Sequence, residues 1–342
     1  MSDTSTDFYT RQAAEARGPE SQDPPKRKQK KRLKKILIAS GVSIVLVVAA
    51  VVGGGYMYAN SMLNRIHRIP GIVALTAAHQ PFEAPGSMNV LLTDSQVIPG
   101  EDTQTGLIEL MHLNATGQGG AVISFPANTE VRVPGHGRTE LGNTLALGGP
   151  SLMIETLERL TDVRINHYSV IDFSGLAQVI GAIGGVSVTV PYAFTSFGFH
   201  FRRGVDRITA ANALAYVRQI AVSEVGRMEL QENLFRAVLH KIANHHLFLH
   251  MSVVDAVVKA VSVDSNLSNS RLVSLAKRLA DLQSSDGVSI DVPTTGSPGR
   301  GGMNPVFLRN RLSHQLWRAI NHDAVAQFAQ RYPFLVTPSD PI

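Results

Sequence analysis

The chain has 342 residues and lacks cysteine altogether. Without cysteine there are no disulfide bonds, no thiolate zinc site and no cysteine nucleophile. The absence of cysteine does not fix the compartment in which the protein works. Its length allows one large domain or two of ordinary size, with enough chain to bury a substantial core.

The chain beyond residue 59 also lacks an excess of charge of either sign. The whole protein has a formal net charge of +5 and an isoelectric point of about 9.5. Residues 1–59 hold 10 Lys and Arg and 5 Asp and Glu, which leaves 22 of each class for residues 60–342. The basic character therefore belongs to the N-terminal segment. Since helix-turn-helix patterns and interleaved aromatic and basic residues are also missing, we expect no nucleic-acid partner.

A charge-free segment follows a strongly basic one near the N-terminus. Residues 1–35 are polar and basic, which predicts a disordered tail, and KRKQKKRLKK at 26–35 has eight basic side chains in ten positions. The 23 residues Ile36 to Tyr58 carry no charge. As a helix they would extend roughly 35 Å, enough to cross a bilayer core of about 30 Å. Because basic residues stay on the cytoplasmic side, we predict a single-pass cell-membrane protein with a cytoplasmic N-terminus and an extracytoplasmic C-terminal domain.

The remaining chain divides into a linker, one α/β domain and a tail. Turn-rich residues 59–87 predict a linker, residues 88–330 alternate strand and helix signals, and residues 331–342 form a C-terminal tail. The apolar runs MNVLL, GLIELMHL and GGAVISF are typical of strands. SLMIETLERLT has apolar residues at helical spacing directly after Pro150, which favours a helix start. These signals predict a three-layer α-β-α domain with a mixed central sheet and one continuous core.

The second half of the domain repeats the alternation of strands and helices. INHYSVID, FSGLAQVIGAI and VSVTV predict a strand–helix–strand unit. Further helices are predicted for TAANALAYVRQI, VGRMELQENLFRAVLHKIA, MSVVDAVVKAVSV and SNSRLVSLAKRLADL. GVSIDVP near the end of the domain is typical of a late strand.

Several long blocks of this domain resemble the LytR–CpsA–Psr family of envelope proteins. They are residues 135–191, RRGVDRITAANALAYVRQ (202–219) and GRMELQ (226–231). The resemblance implies a phosphotransferase that moves a glycopolymer from a polyprenyl-pyrophosphate carrier to peptidoglycan. It also implies an apolar tunnel for the lipid, arginines on the pyrophosphate and a Mg²⁺ or Mn²⁺ ion held by carboxylates. Such a site suits the chemistry, because phosphoryl transfer depends on positioning and charge stabilisation, and arginine meets two phosphate oxygens at once.

Few of the charged positions that the resemblance identifies are kept. Asp94 matches a metal-binding carboxylate, and Arg218 and Arg227 match catalytic arginines that grip the pyrophosphate. Gln231 matches a further phosphate-binding position. Glu224 stands where the last family motif has an aspartate.

Most of the other motif positions have lost their charged side chains. Replacements for five expected arginines and two expected aspartates are, in that order, Gln96, Gln104, Ala127, Ile220 and Leu230, then Gly106 and Asn128. The stretch SFPAN at 124–128 shows the loss most clearly, since the family has Ser-x-Pro-Arg-Asp there. Asp102 lies four residues before position 106, about 13 Å along a strand, so it could replace the missing aspartate only through a local bulge.

Two functions are compatible with this pattern. The first is glycopolymer transfer from a polyprenyl lipid to peptidoglycan, weakened because each lost charge-assisted hydrogen bond contributes about 1.5–3 kcal/mol. The second is a catalytically impaired paralogue that binds the polyprenyl lipid, or a catalytic relative, and modulates envelope assembly without chemistry.

Overall fold

The computed structural model describes residues 60–70, 85–94, 106–116, 120–218, 230–231, 233–238, 241–242, 250–284, 288–295 and 306–336. The predicted tail and membrane span lie outside these residues. Within them, no helix has both the length and the apolar character needed to cross a membrane. The membrane anchor and its orientation therefore stay predictions.

The described residues form a mixed α/β fold. Its strands, in chain order, are β1 (His67–Ile69), β2 (Met88–Asp94), β3 (Ile108–Leu113), β4 (Gly120–Ser124), β5 (Glu130–Val133), β6 (Gly137–Glu140), β7 (His167–Ile171), β8 (Val186–Val190), β9 (Phe194–Ser196), β10 (Phe199–Phe201), β11 (Gly204–Ile208), β12 (Val261–Asp264), β13 (Val288–Asp291), β14 (Thr294–Thr295) and β15 (Phe307–Leu308). Its helices are α1 (Thr144–Thr161), α2 (Phe173–Ala182), α3 (Ala213–Val217), α4 (Met251–Ala260), α5 (Asn269–Ser284), α6 (Asn310–Asn321) and α7 (Val325–Arg331). Short 3₁₀ turns cover Leu141–Asn143 and Pro333–Leu335.

A seven-stranded mixed sheet lies at the centre, in the order β1-β12-β7-β2-β3-β4-β13. The pairs β2–β3, β3–β4 and β7–β12 are antiparallel. The pairs β1–β12, β2–β7 and β4–β13 are parallel. The predicted mixed central sheet is confirmed.

The sheet separates two hydrophobic clusters, where the sequence predicted one continuous core. Alternation along β2 explains the division, since Val90 and Leu92 join one cluster and Leu91 joins the other. The first cluster includes side chains of α2, α3 and α4, and we call this side of the sheet the α2 face. The second includes side chains of α1, α6 and α7, and we call that side the α6 face. Helices thus cover both faces of the sheet.

Two local features fix how α2 lies on its face. Asp172 caps the N-terminus of α2, because its carboxylate accepts hydrogen bonds from the backbone N–H groups of Ser174 and Gly175. A side chain at Gly175 would place its Cβ 2.5 Å from the Cα of Ala260. The glycine therefore allows the close packing of α2 against the end of α4.

Several elements differ from the sequence expectations. The predicted helix over 251–263 ends at Ala260, and the β-branched run that follows becomes β12 in the central sheet. The predicted strand β8 forms as expected but pairs with β11 instead of joining the central sheet. Strand β1 comes from within residues 59–87, which the sequence predicted as a linker. Helices α6 and α7 were not predicted.

Candidate functional site

The turn that replaces the family's Ser-x-Pro-Arg-Asp motif is buried and closed by backbone hydrogen bonds. The N–H of Thr129 donates to the carbonyl of Pro126 at 3.0 Å, and the N–H of Gly142 donates to that of Ala127 at 2.8 Å. The N–H of Val306 donates to the carbonyl of Asn128 at 3.1 Å. Ala127 is 5% exposed and belongs to the hydrophobic cluster of the α6 face. Position 127 therefore works as a core position in this protein.

Asp94, the predicted metal ligand, ends strand β2 in a buried position. Its Oδ1 accepts hydrogen bonds from the backbone N–H groups of Gly106 at 3.0 Å and Leu107 at 3.1 Å. The carboxylate thus joins the end of β2 to the start of β3. Position 106, where the family has a second aspartate, contributes only its backbone here.

A buried tyrosine lies close to this carboxylate. The hydroxyl of Tyr168 lies 2.7 Å from the Oγ1 of Thr93. Burial raises the pKa of Tyr168 to about 12, the hydrogen bond with Thr93 lowers it, and the negative charge of Asp94 raises it further. Tyr168 is therefore neutral at physiological pH and can donate a hydrogen bond.

Glu109 is a second buried carboxylate that the sequence reasoning missed. It is 1% exposed, and its Oε2 accepts a hydrogen bond from the Oγ of Ser124 at 2.7 Å. In the sheet it lies opposite Leu92, two positions before Asp94 on β2. Alternation puts Asp94 and Glu109 on the α2 face, and such diagonal neighbours on adjacent strands are about 7–8 Å apart. The sequence did contain a signal for Glu109, because it lies within the apolar run LIELM. A glutamate is rarely buried unless its carboxylate is paired.

The structure brings two of the retained family residues together. Arg218 follows helix α3, and Gln231 is buried with its Nε2 donating to the carbonyl of Val217 at 3.2 Å. Among the described residues, the buried Nε of Arg218 and Oε1 of Gln231 have no hydrogen-bond partner. The neighbouring Leu230 packs fully buried in the cluster of the α2 face. Through its hydrogen bond Gln231 fixes the segment that carries Arg218. This segment lies on the α2 face, where Asp94 and Glu109 also lie.

The other predicted site residues cannot be placed. Those outside the described residues are Arg227, Gln96, Gln104, Asp102, Ile220 and Glu224. Their roles stay predictions. Of the placed positions, Asp94, Arg218 and Gln231 keep polar side chains, while Ala127 and Leu230 belong to the two hydrophobic clusters.

The described residues at the family's positions do not by themselves make a divalent-cation site. In this part of the chain, no group of three or more His, Asp or Glu side chains could hold a metal ion. Mg²⁺ commonly takes one or two carboxylates together with phosphate oxygens. Of the described family positions, Asp94 supplies a carboxylate, and Gly106 and Asn128 supply none. The predicted Mg²⁺ or Mn²⁺ ion stays a prediction.

The described residues form a mixed α/β domain with Asp94, Arg218 and Gln231 on the α2 side of its central sheet. The LytR_cpsA_psr family model matches residues 59–315, and the chain belongs to this family. The predicted resemblance is therefore confirmed at the level of the family.

The names of relatives of the chain refer to the cell wall. Over 268 residues it is 25% identical to the polyisoprenyl-teichoic acid–peptidoglycan teichoic acid transferase TagU of Bacillus cereus strain AH820, covering 73% of this chain and 86% of the relative. It is 30% identical over 194 residues to the probable cell wall biosynthesis protein LcpB of Corynebacterium glutamicum, covering 54% of this chain and 47% of that protein.

Solved structures share the fold. The crystal structure of TagV from B. subtilis matches with a TM-score of 0.57 and 18% identity, over 70% of this chain and 98% of TagV. A structure of TagT bound to LI-WTA matches with a TM-score of 0.56 and 20% identity, over 74% of this chain and 99% of TagT. At these identities the likeness establishes the fold alone.

Proposed function

We propose that this protein takes part in assembly of the bacterial cell envelope, where it binds a polyprenyl-linked glycopolymer outside the cell membrane. The names of the relatives support this substrate class, because TagU is a polyisoprenyl-teichoic acid–peptidoglycan transferase. The predicted span over Ile36 to Tyr58 would hold the domain at the membrane in which a polyprenyl lipid resides.

The buried Nε of Arg218 is the observation that carries the proposal. Among the described residues it has no hydrogen-bond partner, and a buried donor left unpaired costs free energy. A phosphate oxygen of the carrier lipid would supply the missing acceptor. Gln231 supports this role because it fixes the backbone next to Arg218 through the carbonyl of Val217.

Catalysis is the part of the family's activity that we propose is reduced. Phosphoryl transfer relies on several cationic groups and on divalent cations that neutralise the developing charge. Position 106 has no side chain, and Ala127 is packed into the core of the α6 face. The protein then binds the carrier lipid and modulates envelope assembly, and it transfers the polymer far more slowly than a relative with the complete motif set.

The location of the phosphate can be tested with Arg218→Gln in the full chain. We expect the affinity for a short polyprenyl pyrophosphate to fall by about tenfold, since one charge-assisted hydrogen bond is lost. Arg311→Gln is the matched control, because Arg311 is exposed on α6 and α6 packs on the opposite face. Equal affinities of Arg218→Gln and the wild type would refute the proposed phosphate site.

Glu109 favours a second candidate, in which the transferase has kept its activity with a relocated carboxylate. Glu109 and Asp94 lie on the same face, and this pair with phosphate oxygens would satisfy Mg²⁺ or Mn²⁺. Mn²⁺ binding, measured by electron paramagnetic resonance, separates the two candidates. If Mn²⁺ binds the wild type and not Glu109→Gln, the second candidate is correct. If Mn²⁺ binds neither, the proposal of reduced catalysis stands.

A further inference from the structure

A tight hairpin with an aromatic tip projects from the domain. Strands β9 and β10 pair with Phe199 opposite Ser196, so Phe197 and Gly198 form a two-residue turn. We call residues 194–201 the Phe197 hairpin. Both turn residues have positive φ, +46° at Phe197 and +82° at Gly198. Such turns normally carry Asn, Asp or Gly at the first position, and a bulky aromatic residue there is an outlier.

The tip of the Phe197 hairpin is also unusually exposed. Phe197 is 67% exposed and Phe199 is 39% exposed, and Val205 on the adjoining strand β11 is 72% exposed. Of the eight large apolar side chains exposed in the described part of the chain, these three fall between residues 197 and 205. An exposed aromatic residue at positive φ costs free energy in two ways, because its apolar ring is in water and its backbone is strained. Features of this kind point to function.

The base of the hairpin is anchored firmly in the domain. The rings of Phe194 and Phe201 are buried and stack with centroids 4.7 Å apart. The ring of Phe201 also meets that of Tyr216 edge-on at 5.3 Å. Tyr216 belongs to α3, the helix that ends next to Arg218. The tip is therefore presented by a rigid support that is continuous with the candidate phosphate site.

Exposed arginines lie at the base of the Phe197 hairpin, at the opposite end from its tip. Arg202 and Arg203 directly follow β10, Arg207 lies on β11, and all three are exposed. Within residues 194–207 the one acidic residue is Asp206, whose carboxylate accepts a hydrogen bond from the N–H of Arg202 at 2.9 Å. The guanidinium of Arg202 also lies 3.5 Å from the Oδ1 of Asp206, and the side chain of Arg202 is 75% exposed. Aromatic residues flanked by exposed arginines are the composition of segments that bind the interface of anionic membranes.

We propose that the Phe197 hairpin docks onto the anionic lipid surface of the membrane. Phe197 and Phe199 enter the interfacial region, while Arg202 and Arg203 contact the headgroups. Charge complementarity favours lipid as the partner, and the sequence predicts a membrane next to the domain because its charge-free segment ends at Tyr58. The contact would place α3 and Arg218 close to the bilayer from which a lipid-linked phosphate would enter. The proposal requires a membrane but no catalytic activity.

The absence of cysteine makes a direct test possible, because one introduced cysteine can be labelled selectively. The full chain is placed in nanodiscs, with an environment-sensitive fluorophore at Phe197→Cys and nitroxide-bearing lipids as quenchers. The matched control is Val273→Cys, an apolar position on α5 that is 56% exposed. In discs rich in phosphatidylglycerol we expect quenching at position 197 to exceed that at position 273 by at least about twofold. Replacing Arg202 and Arg203 with serine should remove most of this excess.

Two results would overturn the proposal. Equal quenching at positions 197 and 273 would mean that the hairpin does not meet the bilayer. Equal quenching at position 197 in phosphatidylglycerol and phosphatidylcholine discs, unchanged by the serine substitutions, would contradict recognition of anionic lipid. Both positions are exposed, so the labelled variants should keep the fold, which a thermal melt of each verifies.

Discussion

The two faces of the central sheet bury their polar groups in different ways. On the α6 face, the Nδ1 of His112 lies 2.8 Å from the Oδ1 of Asn89. Its Nε2 lies 2.9 Å from the Oδ1 of Asp323. On the α2 face lie two carboxylates, Asp94 at the end of β2 and Glu109 near the start of β3, on the side of the sheet that α3 also covers. The hydrogen bonds of His112 link the sheet to the segment after α6, and the buried Glu158 of α1 accepts a hydrogen bond from the N–H of Ile165. The two carboxylates of the α2 face lie on the same side of the sheet as Arg218 and Gln231.

In the proposed function, the family scaffold is kept while part of the family's chemistry is lost. Ala127 has become part of the hydrophobic cluster on the α6 face, and Leu230 part of the cluster on the α2 face. Substituting charged residues with apolar ones at these two sites adds packing to each core. In the proposed function, Arg218 and Gln231 on the α2 face form a phosphate site without the rest of the motif set.

The largest effect on ligand binding is expected when the missing charges are restored. The combined variant Gln104→Arg, Gly106→Asp, Ala127→Arg and Asn128→Asp should bind polyprenyl pyrophosphate at least about tenfold more tightly in the presence of Mn²⁺, because charge-assisted bonds contribute about 1.5–3 kcal/mol each. Isothermal titration with and without Mn²⁺ measures the gain.

The control for this variant addresses folding, since Ala127 packs in a core. Gln104→Arg with Gly106→Asp alone leaves that core untouched and should give part of the gain. If both variants melt like the wild type and neither binds more tightly, the view that charge loss weakened the site is wrong.

On the α6 face we expect a loss of stability and no change in ligand binding. Asp323→Ala removes the acceptor for His112 and for the N–H of Ala115, which donates to Asp323 at 2.9 Å. Hydrogen bonds to charged groups contribute about 1.5–3 kcal/mol, so the free energy of unfolding should fall by about 3 kcal/mol. Chemical denaturation measures it. Asp323→Asn is the milder control, because asparagine also tolerates the φ of +56° at this position.

If Asp323→Ala also binds polyprenyl pyrophosphate more weakly, by more than its unfolded fraction explains, then the two faces do not have the separate roles proposed for them.

The pH dependence of stability should report on Tyr168. Its pKa is about 12 in the folded protein and about 10 when unfolded, so the folded state keeps the proton longer. This contribution is present below pH 10 and is lost as the pH rises from about 10 to about 12, with a total of about 3 kcal/mol. Denaturation of the wild type and Tyr168→Phe across this range compares the slopes. Parallel slopes would contradict the buried, neutral state of Tyr168.

The smallest expected effect is a gain in stability from Phe197→Asn. Asparagine suits positive φ, so the free energy of unfolding should rise by about 1 kcal/mol while membrane contact is lost. Thermal melts measure the first effect, and quenching of a label at Phe199→Cys measures the second. A destabilised Phe197→Asn would mean that the phenylalanine supports the fold and is not held there for docking.

Much of the fold could be predicted from the sequence because apolar periodicity marks its buried elements. β2, β3, β4, β7 and α2 all formed near the predicted positions, as each presents continuous or helical apolar spacing. The run that became β12 has the same residue types as the helix before it, so pattern alone placed it in that helix. Helices α6 and α7 were missed because polar residues dominate their sequences, and their apolar stripe around Trp317 becomes evident only when packed against Phe125 at 5.6 Å.

Candidate site residues were predicted only where the family motifs reach, and their roles stay predictions. Asp94, Arg218 and Gln231 follow from the resemblance, and the structure places all three. Glu109 lies outside those motifs, and its position beside Ser124 depends on strand register, which the sequence does not state. The strained conformation of Phe197 was equally invisible, because φ is a property of the folded turn.

The most direct test of the central claim compares polyprenyl pyrophosphate with the matching polyprenyl alcohol. Both are titrated against the full chain in nanodiscs, with and without Mn²⁺, while phosphate release is followed. We predict that the pyrophosphate binds about tenfold more tightly through Arg218, that Mn²⁺ does not change this preference, and that no phosphate is released. Tighter binding with Mn²⁺ together with phosphate release would contradict the account and identify a working transferase.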